Sequence, residues 1–64
     1  MRIDRLKLRT ELAKRAMTQV KLAELAGVSR ATVGYIAGGK SCSDIVGMKI
    51  AKALEMPIEK LLEK

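Results

Sequence analysis

Apolar residues recur at intervals of three and four along the chain, and only a few marks interrupt them: Ala26-Gly27, Gly38-Gly39 through Ser43, and Pro57. The spacing predicts a first helix over 3–16, with Leu8, Leu12 and Ala16 on one stripe and Ile3, Leu6 and Ala13 beside it. Thr18 offers an N-cap hydroxyl for a helix over 19–26, and Gly27 supplies the left-handed residue that ends it. After Val28, Ser29 is a second N-cap, opening a helix over 30–37 that Gly38 and Gly39 stop. Ser43 caps a fourth helix over 44–54, whose register Ile45-Val46 leaves open, and Pro57 suits the first turn of a short last helix through 62. No segment alternates with the period of two that a strand requires. The expected fold is all-α, a compact five-helix body forming a single domain over 1–64.

The second and third elements have the form of a helix-turn-helix, two short helices joined by a tight glycine turn, over about 18–37. Its residue requirements are physical. Ala23 is small where two helices cross closely, and Gly27 has the freedom to take positive φ. Val28, Val33 and Ile36 are apolar and seat the second helix on a core. Arg30, Ala31, Gly34 and Tyr35 are then neighbours at helical spacing on the outward stripe.

Charge sharpens this picture. The 64 residues carry 13 basic and 7 acidic side chains, a net charge of +6. The whole excess falls in 1–40, where nine basic residues face three acidic ones, and the remainder is balanced. One part of the body is built to meet anions. The basic first segment (Arg2, Arg5, Lys7, Arg9, Lys14, Arg15) reads as a surface helix adding non-specific attraction to DNA, or as one lying on an anionic membrane. One cysteine and no histidine exclude disulfide scaffolds, zinc fingers and catalysis that rests on a histidine base. No metal or other cofactor is expected, and no enzymatic activity or small-molecule substrate. No apolar run is long enough to span a membrane, and a cytoplasmic protein is expected. Cys42 reads as an inert loop residue, and Met1, Met17, Met48 and Met56 as gap fillers in a core without Phe or Trp.

Thr18-Gln19, Leu22-Ala23, Gly27-Val28-Ser29, Val33, Ile36 and Gly39-Lys40, followed by Ile50-Ala51-Lys52-Ala53-Leu54, resemble the Cro/repressor (XRE-like) family of phage and bacterial regulators. The resemblance covers 8–62. It implies a five-helix fold that binds double-stranded operator DNA, usually as a two-fold homodimer. It assigns a phosphate contact to Gln19, base reading to Ser29, Arg30, Ala31, Gly34 and Tyr35, and a phosphate clamp to Gly39, Lys40 and Ser41. Lys21 stands where a capping-box glutamate is common, and adds a cation facing phosphate. The family often pairs an arginine late in the first helix with a glutamate after the third. Here those positions are Leu12 and Ala37, and losing both partners together is tolerated where losing one is not. Gly34 costs its helix about 1 kcal/mol relative to alanine.

The function expected is that of a transcriptional regulator, a repressor occupying a palindromic site as a dimer. A protein-interaction module of the same fold, such as an antitoxin or anti-repressor, is the alternative. The dimer is expected to form through Met56, Ile58, Leu61 and Leu62 in the charge-balanced last segment. The competing reading is that these four close the monomer core.

Overall fold

The computed structural model describes residues 1–63. Four α-helices follow one another, α1 (Arg5–Lys14), α2 (Gln19–Ala26), α3 (Arg30–Ala37) and α4 (Asp44–Ala53), and a 3-10 turn, Ile58–Lys60, comes last. The all-α expectation is met, with the fifth helix reduced to that one turn. Among the described residues no helix is long and apolar enough to cross a membrane.

The two chain ends explain why the first and last helices are shorter than expected. Ile3 forms an antiparallel bridge with Leu62. The Asp4 amide donates to the Leu61 carbonyl at 2.7 Å and the Glu63 amide to the Arg2 carbonyl at 3.1 Å. This extended pairing takes up backbone groups that helices would otherwise use. Asp4, not a residue before Ile3, is therefore the N-cap of α1, its carboxylate accepting from the Leu6 and Lys7 amides. Ile3 is fully buried, but as an extended residue under the core.

α2 packs on both α3 and α4, and α1 packs on α3. The shared interior is entirely aliphatic: Leu8 and Leu12 from α1, Leu22, Ala23 and Ala26 from α2, Val33, Ile36 and Ala37 from α3, Ile50, Ala51 and Leu54 from the α4 region, closed by Ile3 and Leu61. Leu12 and Ala37, where the family often has an ion pair, pack as core. In α4 the inward face is Val46, Gly47, Ile50 and Ala51, with Ile45 and Met48 turned out. Two expectations are corrected here. Leu6, placed beside the α1 stripe, is 68% exposed, and Met48 is 52% exposed and fills no gap. Met1 does fill one, its thioether packing against Gly47, where a Cβ would collide with it.

All four α-helices end in the same way. An amide just past the end of each helix bonds five residues back: Met17 to Leu12, Val28 to Ala23, Lys40 to Tyr35 and Met56 to Ala51, at 2.9–3.1 Å. The residue just before that donor takes positive φ. For α2 and α3 it is a glycine, Gly27 (φ 72°) and Gly39 (φ 100°). For α1 and α4 it is Ala16 (φ 50°) and Glu55 (φ 55°), residues that carry a Cβ and pay a steric cost of about 1–2 kcal/mol there.

The cations of α1 hold the other elements by their carbonyl ends. The Arg9 guanidinium donates to the Ala37 carbonyl at the end of α3, at 3.1 Å from Nη2. Arg15 Nη2 donates to the Leu54 carbonyl at the end of α4, at 2.8 Å. Its Nη1 bonds the Glu11 carboxylate at 2.7 Å. That bond, with Lys14 beside it, holds the Glu11 carboxyl below the ordinary carboxylate range. Lys7 Nζ reaches the Leu62 carbonyl at 3.1 Å. Such contacts satisfy terminal carbonyls and oppose the negative end of a helix dipole.

Ala16→Gly and Glu55→Gly should each stabilise the protein by about 0.5–1 kcal/mol, the relief of left-handed strain exceeding the added freedom of the unfolded chain. Urea unfolding followed by circular dichroism checks this, and Gly27→Ala should shift the midpoint the other way.

Candidate nucleic-acid interface

α3 divides into two faces. Val33, Ile36 and Ala37 are at most 1% exposed, while Arg30, Ala31, Gly34 and Tyr35 all lie outside. The outward stripe read from helical spacing is thus the stripe that the fold presents. It offers a guanidinium, a methyl, a bare backbone position and a phenol in sequence. These suit guanine, the thymine methyl, close backbone approach and phosphate or base contact. At Gly34 a Cβ would meet nothing within 4 Å, so the monomer has no packing need for a glycine there.

The cap geometry fixes the ends of this helix. Ser29 Oγ accepts from the Thr32 amide at 3.1 Å and shares a hydrogen bond with the Thr32 hydroxyl at 2.8 Å. Ser29 is exposed, yet its hydroxyl is engaged in starting α3. At the other end, Gly39 reverses the chain, so that Lys40 returns toward the helix. Its Nζ lies 5.0 Å from the centroid of the Tyr35 ring. In an exposed position this cation–π contact is worth about 0.5–1 kcal/mol, enough to bias a flexible lysine. Lys40 and Tyr35, assigned to different tasks from sequence, form one exposed corner. Ser41 is exposed beside them.

Across the turn, Thr18 Oγ1 accepts from the Lys21 amide at 3.0 Å and fixes the start of α2. Gln19 is half-buried at its first position, and the Lys21 side chain is exposed. Arg5, which sequence reasoning left among the general cations of the first helix, runs beside the α3–α4 loop. A Cβ on Gly39 would lie 3.7 Å from Arg5 Cδ. The two residues are 34 apart in the chain, and no local pattern joins them.

The family model for a helix-turn-helix matches residues 8–61. The chain belongs to the helix-turn-helix family, of the XRE type of DNA-binding regulators. Among solved structures, it is similar to the restriction–modification controller protein C.AhdI from Aeromonas hydrophila, with a TM-score of 0.83 and 29% identity over 91% of this chain and 89% of that one. It is also similar to a variant of hydroxyethylphosphonate dioxygenase (TM-score 0.88, 26% identity) and to PhpD with cadmium (0.85, 25%), in both cases over 100% of this chain. The chain spans only 14% of the length of each of those two. A comparison with curated protein sequences gave no match.

In this helix-turn-helix, the last segment differs from what was expected of a dimer surface. Leu61 is fully buried and presents nothing to a second copy. Met56, Ile58 and Leu62 are half-buried and pack against the core. The extended bridge at Ile3 draws this segment onto its own domain. Among the described residues, no group of three or more His, Cys, Asp or Glu is placed to hold a metal ion. The half-buried Cys42 thiol is pushed up from its ordinary pKa, chiefly by burial.

Gly34→Ala separates packing from recognition. It should raise stability by about 1 kcal/mol, a rise of roughly 4–8 °C in Tm for a domain this small. If α3 approaches DNA closely at Gly34, duplex affinity should fall in the same variant. Calorimetry and a binding titration read the two effects separately.

Proposed function

We propose that the protein is a transcriptional repressor that occupies a palindromic operator as a homodimer in the bacterial cytoplasm. The observation that carries this reading is α3, anchored by Val33, Ile36 and Ala37 and showing Arg30, Ala31, Gly34 and Tyr35 to solvent. The +6 charge supplies the sequence-independent attraction on which such reading rests. A controller protein of matching length among the structural neighbours supports a regulator over an enzyme module. Repression then needs no chemistry, because a bound protein excludes polymerase from the site.

Size supports the dimer. The body measures 25 × 22 × 19 Å, short of the roughly 34 Å between successive major grooves on one face of DNA. Two copies side by side reach both. In this reading Arg30 and Tyr35 read bases with Ala31 and Gly34. Gln19, Lys21, Gly39, Lys40 and Ser41 hold phosphates, and Ser29 sets the start of the reading helix.

Selection from random duplexes at physiological salt should enrich a palindrome with half-sites about one helical turn apart. Equal affinity for all duplexes, or none, overturns the reading. Arg30→Ala should weaken the selected site by about 1–3 kcal/mol and relax preference at one base pair. Lys40→Ala should weaken specific and random duplexes alike and reduce the salt slope by about one. Fluorescence anisotropy over a salt series distinguishes the two patterns.

A further inference from the structure

A lysine is a point charge on a flexible four-carbon stem, and an exposed one has many rotamers to occupy. Lys40 is instead held at two points, both on Tyr35. Gly39, at φ 100°, reverses the chain after α3. The Lys40 amide then donates to the Tyr35 carbonyl at 3.0 Å. The side chain folds over the same residue, its Nζ 5.0 Å from the ring centroid. Tyr35 is 58% exposed, so its ring is no part of the core. Among the described residues no carboxylate pairs with Lys40. The other charge that the fold brings to this loop is again a cation, Arg5, whose Cδ lies beside Gly39. The tyrosine ring is thus the partner that the fold gives the Lys40 ammonium.

We infer that Tyr35 is a positioning residue, whose ring holds the Lys40 ammonium where a DNA phosphate meets it. The inference rests on the operator reading above and moves Tyr35 from base reading to the support of the phosphate clamp. The chemistry suits the task. An ammonium has three N–H donors, and a ring face engages one side of it while the rest stay available to phosphate oxygens. A side chain fixed before binding has less freedom to lose on binding. The contact also occupies a face of the ring, which is then closed to a base.

The test is a double-mutant cycle in the full chain, read by fluorescence anisotropy over a salt series on the selected palindrome and on a random duplex. Tyr35→Leu keeps an apolar side chain at an exposed helical position and removes the ring, and it should keep the helical circular dichroism signal. It should weaken both duplexes alike, by about 2–5-fold, with base preference and salt slope as in the wild type, since Lys40 still reaches phosphate. Tyr35→Phe should restore the lost affinity, because the ring and not the hydroxyl is used. In a Lys40→Ala background Tyr35→Leu should cost nothing further, a coupling that a folding defect does not produce. In the free protein, nuclear magnetic resonance should find the Lys40 ε-methylene protons shifted upfield by the ring, and Tyr35→Leu should abolish the shift. Relaxed preference at one base pair in Tyr35→Leu overturns the inference and returns Tyr35 to base reading. So do failure of Tyr35→Phe to restore binding, additive losses in the double variant, and an unshifted Lys40 in the wild type. A wild-type chain that binds no duplex overturns the operator reading itself, and this inference with it.

Discussion

What α3 shows to solvent depends on what it buries. Val33, Ile36 and Ala37 are held by α2, whose small Ala23 lets the two helices approach, and by Leu8 and Leu12 of α1. No polar or charged residue lies in that interior among the described residues. Rotating α3 by one residue would put Arg30 or Tyr35 into it, at a desolvation cost that a 64-residue domain does not have in reserve. The outward set is therefore single-valued. An aliphatic core orients α3 without contributing an atom to the stripe that the helix shows to solvent.

The second constraint is the closing of helix ends. Each α-helix finishes in a reversed turn with one left-handed residue, and α1 then adds cations to carbonyls at the ends of α3 and α4. Arg9 and Arg15 thus have a mechanical part in the fold besides their charge. Arg9 links α1 to α3 one turn before Leu12, the position at which the family often places an arginine. With Leu12 and Ala37 both apolar, the tie between these helices passes to a guanidinium on a backbone carbonyl. Their charges remain part of the field that attracts DNA, while their heads are held against the protein.

The neighbours show how far the same unit is reused. A body of this shape forms nearly all of a controller protein and a small fraction of a dioxygenase chain. Its surface, not its backbone, sorts these uses. Here the surface combines a basic half, an outward stripe on α3 with Lys40 folded onto Tyr35, and exposed apolar side chains on α4.

Local sequence determined the all-α class, the N-caps and the bounds of α2 and α3. Thr18, Ser29, Gly27 and the Gly38-Gly39 pair announce their roles in the residue itself. It also determined the outward stripe of α3, because helical spacing and apolar anchors lie within one turn of each other. α1 and α4 overran their observed ends because Ala16 and Glu55 take left-handed conformations that their side chains do not favour. Only the packed body makes them do so. The extended bridge of Ile3 with Leu62, the burial of Leu61, the passage of Arg5 beside Gly39 and the exposure of Met48 were likewise decided by tertiary structure. Each joins residues far apart in the chain, or selects one face of a helix that is apolar on two sides. Periodicity reports that a helix has an apolar face. Which of two such faces is buried depends on the helices it meets.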